Sequence, residues 1–162
     1  GKRRFARPTP IDVKVLIHEI NAQTEVSTIV IIGRSKLVGI PLALLLSSKS
    51  DLGNASVTIC HSKSKNIKAH TIKADIVVVA TGFPHTLTAD MVRKDSVVID
   101  VGVNRLEDKS KKNGYRLSGD CDFEEIYEIA SKITPVPGGV GPMTIAMLLK
   151  NVTKAFLLNV KK

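Results

Sequence analysis

The chain has 162 residues, 43% of them hydrophobic and 24% charged, with 11 Gly and 7 Pro, so it can fill one core but not two ordinary domains. These proportions exclude the collagenous, low-complexity and disordered classes, and apolar runs such as Leu42–Leu46 and Ile76–Ala80 fall far short of the roughly 18 residues that a membrane span needs. A net charge of +9, from 24 Lys and Arg against 15 Asp and Glu, favours an anionic partner through long-range attraction.

The basic start, Gly1 to Arg7, runs into Pro8-Thr9-Pro10 with no apolar core of a leader, so no secretory signal is expected. Thr9-Pro10 followed by Asp12 reads as a helix start, with Thr as cap, Pro in the first helical position and an acid suited to the positive end of the helix. Val13, Leu16, Ile17 and Ile20 then mark one buried helical face. Ser27–Ile32 is a β-branched run that predicts a strand buried on both sides and closed by Gly33. A helix is expected from Leu37 to about Lys49, with Pro41 in its first turn, where no helical N–H is needed.

The alternation continues with a strand at Ser56–Cys60, a short polar helix or loop through Lys73, a strand at Asp75–Ala80, a helical stretch at Thr88–Arg93 and a strand at Ser96–Val101. Asn104–Ser118 is polar and Lys-rich around Asn113-Gly114, so it reads as an excursion or hairpin without core duty. Phe123–Ala130 is helical, Lys132–Thr134 is a last strand, and Pro135–Gly141 is a rigid loop. A helix opened by Pro142 closes the chain at about Leu158, and its apolar composition predicts substantial burial. Strands separated by crossovers specify an α/β fold, a Rossmann-like doubly wound parallel sheet with helices on both faces, as a single domain over residues 1–162.

Cys60 and Cys121 are 61 positions apart and form neither a CxxC pair nor a disulfide framework, so a reducing, cytoplasmic setting is expected. The four histidines have no metal-ligand spacing, and no metal is expected. With no Trp, two Tyr and four Phe, too few to stack bases along the basic segments, those segments read as solvated faces rather than a nucleic-acid groove.

Chemistry concentrates at Ile29–Pro41, where a buried strand, a glycine turn and a helix start form an anion-binding corner. The spacing of Gly33, Ser35 and Gly39 departs from G-x-G-x-x-G, and a tight structural turn is the alternative. Arg34, Ser35 and Lys36 add a hydroxyl and positive charge at the same corner. At the end of the second strand an NAD-binding unit offers an acid to the ribose hydroxyl. Here Cys60 is followed by His61, Ser62 and Lys63, donors and charge that suit the extra phosphate of NADP; an ordinary basic turn is the alternative. Ala80-Thr81-Gly82 and Asp100-Val101-Gly102 end two further strands with small residues that let a dinucleotide approach, and Asp100 could serve as a loop cap.

These strings, with Gly119-Asp120-Cys121-Asp122 and Ile133-Thr134-Pro135-Val136-Pro137-Gly138-Gly139-Val140-Gly141-Pro142-Met143-Thr144, resemble the cofactor domain of methylenetetrahydrofolate dehydrogenase/methenyltetrahydrofolate cyclohydrolase, from Pro8 to the last helix. The resemblance implies oxidation of 5,10-methylenetetrahydrofolate with NADP as hydride acceptor, then hydrolysis to 10-formyltetrahydrofolate. By the same resemblance Gly33, Arg34 and Ser35 hold the diphosphate and 2′-phosphate corner, and Ser62 the 2′-phosphate. Val103 and Thr144 flank the nicotinamide, and Pro137, Gly138, Gly139 and Val140 border the folate cleft. The family is usually dimeric through this domain, so a homodimer is expected.

The family's catalytic Tyr-x-x-x-Lys and its Gln-Leu-Pro-Leu-Pro strand belong to an upstream domain, and neither is in this chain: Tyr115 and Tyr127 are not followed by Lys four residues on. The usual Pro-Cys-Thr-Pro string is also altered, Pro8 running directly into Thr9. The chain therefore reads as the second half of such an enzyme, with no catalytic residue of its own and negligible turnover in isolation. A non-catalytic nucleotide-binding or scaffold remnant is the alternative, and a nucleic-acid module ranks last.

Overall fold

Short β-branched runs assemble into one five-stranded parallel sheet, and the three central ones, Thr28–Ile32, Ile76–Val79 and Val97–Asp100, are buried on both sides and must be covered on both. The computed structural model describes residues 8–20, 22 and 24–160; the basic start, Gly1 to Arg7, lies outside them. In chain order the elements are α1 (Pro8–Glu19), β1 (Thr28–Ile32), α2 (Gly39–Leu46), β2 (Ser56–Cys60), α3 (Ile67–Thr71) and β3 (Ile76–Val79). They continue with β4 (Val97–Asp100), β5 (Asn104–Glu107), β6 (Tyr115–Ser118), α4 (Phe123–Tyr127), β7 (Lys132–Ile133) and α5 (Val140–Val160).

The sheet order is β2-β1-β3-β4-β7, all neighbours parallel. The chain steps from β1 outward to β2 and then back across β1 to β3, so the crevice at the carboxyl ends of β1 and β3 is a topological switch point. Successive strand residues serve opposite faces, as the two-residue period requires. Ile29, Ile31, Ile76, Val78 and Ile99 pack with Val13 and Ile17 of α1 and with Leu42 and Leu46 of α2. Val30, Ile32, Val77, Val79 and Val98 pack with Leu87, Ile126 and Cys121 on the other side. The doubly wound α/β class expected from the sequence is the one observed.

The polar excursion after β4 is an antiparallel hairpin of β5 and β6, separate from the main sheet. Three local expectations change. The second helix is shorter than Leu37–Lys49 because the Ser47 and Ser48 hydroxyls turn back onto the Ala43 and Leu45 carbonyls, at 2.8 and 2.7 Å, and end it. Pro41 does lie in its first turn. The helical stretch expected at Thr88–Arg93 reduces to a 3₁₀ turn at Ala89–Met91, because the Thr88 hydroxyl bonds the Asp90 carboxylate at 2.5 Å and Val92 is already extended.

The third change concerns α5, which begins at Val140 and is not substantially buried. Ile145, Leu148, Leu149, Val152, Phe156 and Leu157 are each more than half exposed. The helix packs chiefly along α1, and the sheet face behind α1 is already filled by α1 and α2, which leaves an apolar stripe that no described part of the chain covers.

Asp12 differs as well, for it lies beyond the first turn of α1 and is completely buried. Neither carboxylate oxygen has a well-formed hydrogen bond. Burial pushes the carboxyl above its ordinary range, and the nearby Thr144 hydroxyl offsets this only in part. At acid pH the group is protonated in both folded and unfolded chains and costs nothing. As pH rises, the unfolded chain ionises first, so stability is lost as pH climbs through the folded value. Asp12→Asn should therefore raise the denaturation midpoint at about pH 7 and change it little at about pH 4, a comparison that denaturant titration at the two pH values checks.

Candidate cofactor site

The first corner of the crevice forms where β1 ends. Gly33 has φ of 129°, and a Cβ there would lie 2.3 Å from the Ala80 carbonyl oxygen at the end of β3. Only glycine lets the two strand ends close to this distance. The Gly33 amide donates to the Cys60 carbonyl at 2.8 Å, which ties the ends of β1 and β2 together. Arg34 and Ser35 follow in exposed positions, and the Ser35 hydroxyl oxygen accepts the Val38 amide at 3.0 Å just before α2. Ser62 is exposed in the turn after β2, and His61 in the same turn reaches Arg34, its Nε2 lying 3.3 Å from the guanidinium Nη1. The fold thus brings Gly33, Arg34, Ser35 and Ser62 to one corner, with α2 starting behind them.

The second part of the crevice lies at the ends of β4 and β7. A cavity of about 410 Å³ is lined by Val101, Gly102, Val103, Leu117 and the Pro135–Pro142 loop, and this lining is almost wholly apolar. Pro137, Gly138, Gly139, Val140 and Val103 all line it, with Val103 exposed at its edge. Thr144 does not line the cavity; it is half-buried in the first turns of α5, its hydroxyl directed to the Val140 carbonyl at 3.4 Å. An apolar slot beside a strand end suits a planar ring, and an exposed cationic and hydroxyl corner suits phosphate.

Two buried aspartates hold these walls in place. Asp100 ends β4; one of its oxygens accepts the Gly102 and Asp120 amides at 2.9 and 3.0 Å, and the other the Cys121 amide at 2.9 Å. Burial pushes its carboxyl up, and these amides pull it partly back. Asp120 follows the hairpin. Its Oδ2 accepts the Thr81 amide at 2.7 Å, the Thr81 hydroxyl at 2.8 Å and the Gly82 amide at 2.8 Å, while its Oδ1 accepts Asn104 Nδ2 at 2.8 Å. The arrangement is crossed: a Cβ on Gly102 would meet Asp120 Oδ1 at 2.0 Å, and one on Gly119 would meet Asp100 Oδ2 at 2.0 Å. Asp100 is therefore the loop cap that the sequence allowed. Asp120 and Asn104 went unassigned there; the available signal was an Asp beside Gly at two strand ends, which marks a carboxylate closing on backbone amides.

Both cysteines are buried free thiols, and burial, followed by the Asp100 charge, pushes the Cys121 thiol up, which makes it unreactive. Among the described residues no group of three or more His, Cys, Asp or Glu side chains is placed to hold a metal ion.

A parallel sheet whose switch point carries a glycine corner and a phosphate-facing helix start defines a dinucleotide-binding domain. More narrowly, the chain belongs to the tetrahydrofolate dehydrogenase/cyclohydrolase family: residues 7–160 match its NAD(P)-binding domain. It is 53% identical over 152 residues to the bifunctional protein FolD of Pelodictyon phaeoclathratiforme, covering 94% of this chain and 52% of that protein. The crystal structure of the bifunctional FolD dehydrogenase/cyclohydrolase from Campylobacter jejuni superposes with a TM-score of 0.83 at 45% identity, over 93% of this chain and 50% of that one. The Trypanosoma brucei methylenetetrahydrofolate dehydrogenase-cyclohydrolase, complexed with NADP cofactor and inhibitor, gives 0.91 at 35% identity, over all of this chain and 54% of its own. The chain spans about half the length of the curated relatives it matches.

Removing the Asp120 carboxylate leaves the part-buried Thr81 and Gly82 amides without their acceptor, while Asn104 keeps the Gly119 carbonyl and the Thr81 hydroxyl keeps Thr86. Asp120→Ala should cost about 3 kcal/mol of unfolding free energy, measured by denaturant titration, and a loss below about 1 kcal/mol would contradict the clamp.

Proposed function

We propose that this chain is the NADP-binding half of an enzyme that oxidises 5,10-methylenetetrahydrofolate to 5,10-methenyltetrahydrofolate and hydrolyses the product to 10-formyltetrahydrofolate. The observation that supports it most is the joining of Arg34 and Ser62 at the corner where β1 and β2 end, with His61 beside the guanidinium. Among the described residues no acid stands there to bond a free ribose hydroxyl, and the guanidinium and hydroxyl suit a 2′-phosphate.

In this reading Gly33, Arg34 and Ser35 hold the diphosphate and 2′-phosphate corner and Ser62 the 2′-phosphate. Val103 and Thr144 are on the nicotinamide side, Val103 in the lining of the slot and Thr144 outside it in the first turns of α5, and the Pro137-Gly138-Gly139-Val140 loop borders the folate cleft. The site fits the dinucleotide: glycine removes the obstruction at the strand end, the phosphate corner is exposed and cationic, and the ring slot is apolar. The bound dinucleotide supplies the hydride acceptor. This chain binds and orients it and keeps water from the slot with Val101, Val103 and Leu117. The groups that act on the folate belong to the upstream half, so the chain alone turns over negligibly.

The exposed stripe of Leu148, Leu149, Val152 and Phe156 on α5 is the face that the upstream half covers. A soluble cytoplasmic homodimer completes the proposal, the β5–β6 hairpin offering a surface away from the core.

Calorimetric titration tests the cofactor. NADP should bind at least about tenfold more tightly than NAD, and Arg34→Ala should remove most of that preference while changing NAD affinity little, since a charged hydrogen bond contributes roughly 1.5–3 kcal/mol. Equal affinities in the unaltered chain would refute the assignment. Sedimentation of the protein joined to its upstream half should give a dimer, and a monomer at micromolar concentration would remove that element.

A further inference from the structure

The β5–β6 hairpin carries its side chains on two faces, and residues directly opposite each other across the ladder share a face. Arg105 is opposite Leu117, and Glu107 is opposite Tyr115. Leu117 lines the apolar slot at the ends of β4 and β7. One face of the hairpin therefore leads from the slot wall out to Arg105 and Tyr115. Tyr115 is two residues from Leu117 along β6, about 7 Å nearer the hairpin tip.

Arg105 is held on this face. Its guanidinium carbon stands 5.0 Å from the centre of the Tyr115 ring, within the range of a cation–π contact. The ring is half-buried and the arginine exposed, so the ring orients the guanidinium and leaves its donors open to a ligand. Among the described residues no carboxylate lies within ion-pair distance of it, although Glu107 shares the face. A planar guanidinium with uncommitted donors matches a carboxylate.

The place in the fold selects the anion. The dinucleotide phosphates are read at the corner of β1 and β2, whereas the hairpin follows β4, on the other side of β3 in the sheet. The nicotinamide, read in the slot, has no carboxylate. The remaining occupant is the reduced folate, whose ring must meet the nicotinamide for hydride transfer and whose far end, past a benzoyl group, carries glutamyl carboxylates. We propose that Arg105, stacked on Tyr115, binds a carboxylate of the substrate's glutamyl tail; this rests on the dehydrogenase reading above. The benzoyl group passes Leu117, and the guanidinium beyond it takes the charge. Such a contact is the same in ground and transition states, so it lowers KM and leaves kcat unchanged.

The test uses the chain joined to its upstream half, with 5,10-methylenetetrahydrofolate and with the same substrate whose tail carboxylates are converted to amides. Arg105→Ala should raise KM for the acid about tenfold, with kcat within about twofold and NADP affinity unchanged. For the diamide it should change neither constant. Arg105→Lys keeps the charge without the planar fork and should recover part of the loss, and Tyr115→Leu should raise KM about threefold. Thermal melting establishes that each variant is folded. An unchanged KM in Arg105→Ala, equal losses on the acid and the diamide, or weaker NADP binding would overturn the proposal. Normal turnover in the unaltered protein with an unchanged KM in Arg105→Ala removes the Arg105 assignment alone. An unaltered protein that does not oxidise 5,10-methylenetetrahydrofolate removes the dehydrogenase reading and this proposal with it. Should Arg105→Ala fail to fold, Arg105→Lys on the acid and the diamide decides the question.

Discussion

The crevice depends on two carboxylates that are out of water and fully engaged with backbone amides. Asp100 and Asp120 each close on a strand-end turn, and each occupies space that a side chain on Gly119 or Gly102 would take. A buried carboxylate is tolerable only when its lone pairs are met, and here the amides of Thr81, Gly82, Gly102, Asp120 and Cys121 meet them. The result is a brace between the ends of β3 and β4 and the segment after the hairpin, the surfaces against which a dinucleotide would lie.

The hairpin gains a role from this brace. By itself a two-stranded ribbon is marginal in water. Its first residue, Asn104, donates to the Gly119 carbonyl at 3.0 Å as well as to Asp120, so both strands are anchored at their base. Thr86 also donates its amide to the Asp120 carbonyl at 2.7 Å, and Leu87 bridges Cys121, which attaches the loop after β3 to the same point. Loss of the Asp120 carboxylate would leave the loop after β3 held to this point only by the backbone bonds of Thr86 and Leu87.

At the other end of the molecule the balance is incomplete. Asp12 is buried without good partners, and α5 presents apolar side chains to solvent along several turns. Both features lie in the α1–α5 layer, away from the β2 edge of the sheet. An apolar stripe of this extent is typical of a surface meant for coverage, and the chain's half-length match to its relatives gives that coverage a source. The corner of Gly33, Arg34, Ser35 and Ser62 needs no such completion, for its residues come from adjacent strand ends of one sheet.

The β-branched runs at Thr28–Ile32, Ile76–Val79 and Val97–Asp100 specify strands buried on both sides, and the glycines just past their ends leave the backbone open there, because period and backbone freedom are properties of local sequence. Arg34, Ser62 and the Pro137–Val140 loop stand just beyond strand ends, the positions expected of them, for the same reason. Three outcomes were not legible locally. Apolar composition made α5 look buried, yet burial depends on which neighbours cover the sheet face, and α1 and α2 fill it. Asp12 suited a helix start by type, and packing placed it in the core. Asp120 lies 39 positions beyond the Thr81 amide it accepts. Contacts between segments so far apart are set by how the sheet is wound, and only the folded chain decides them.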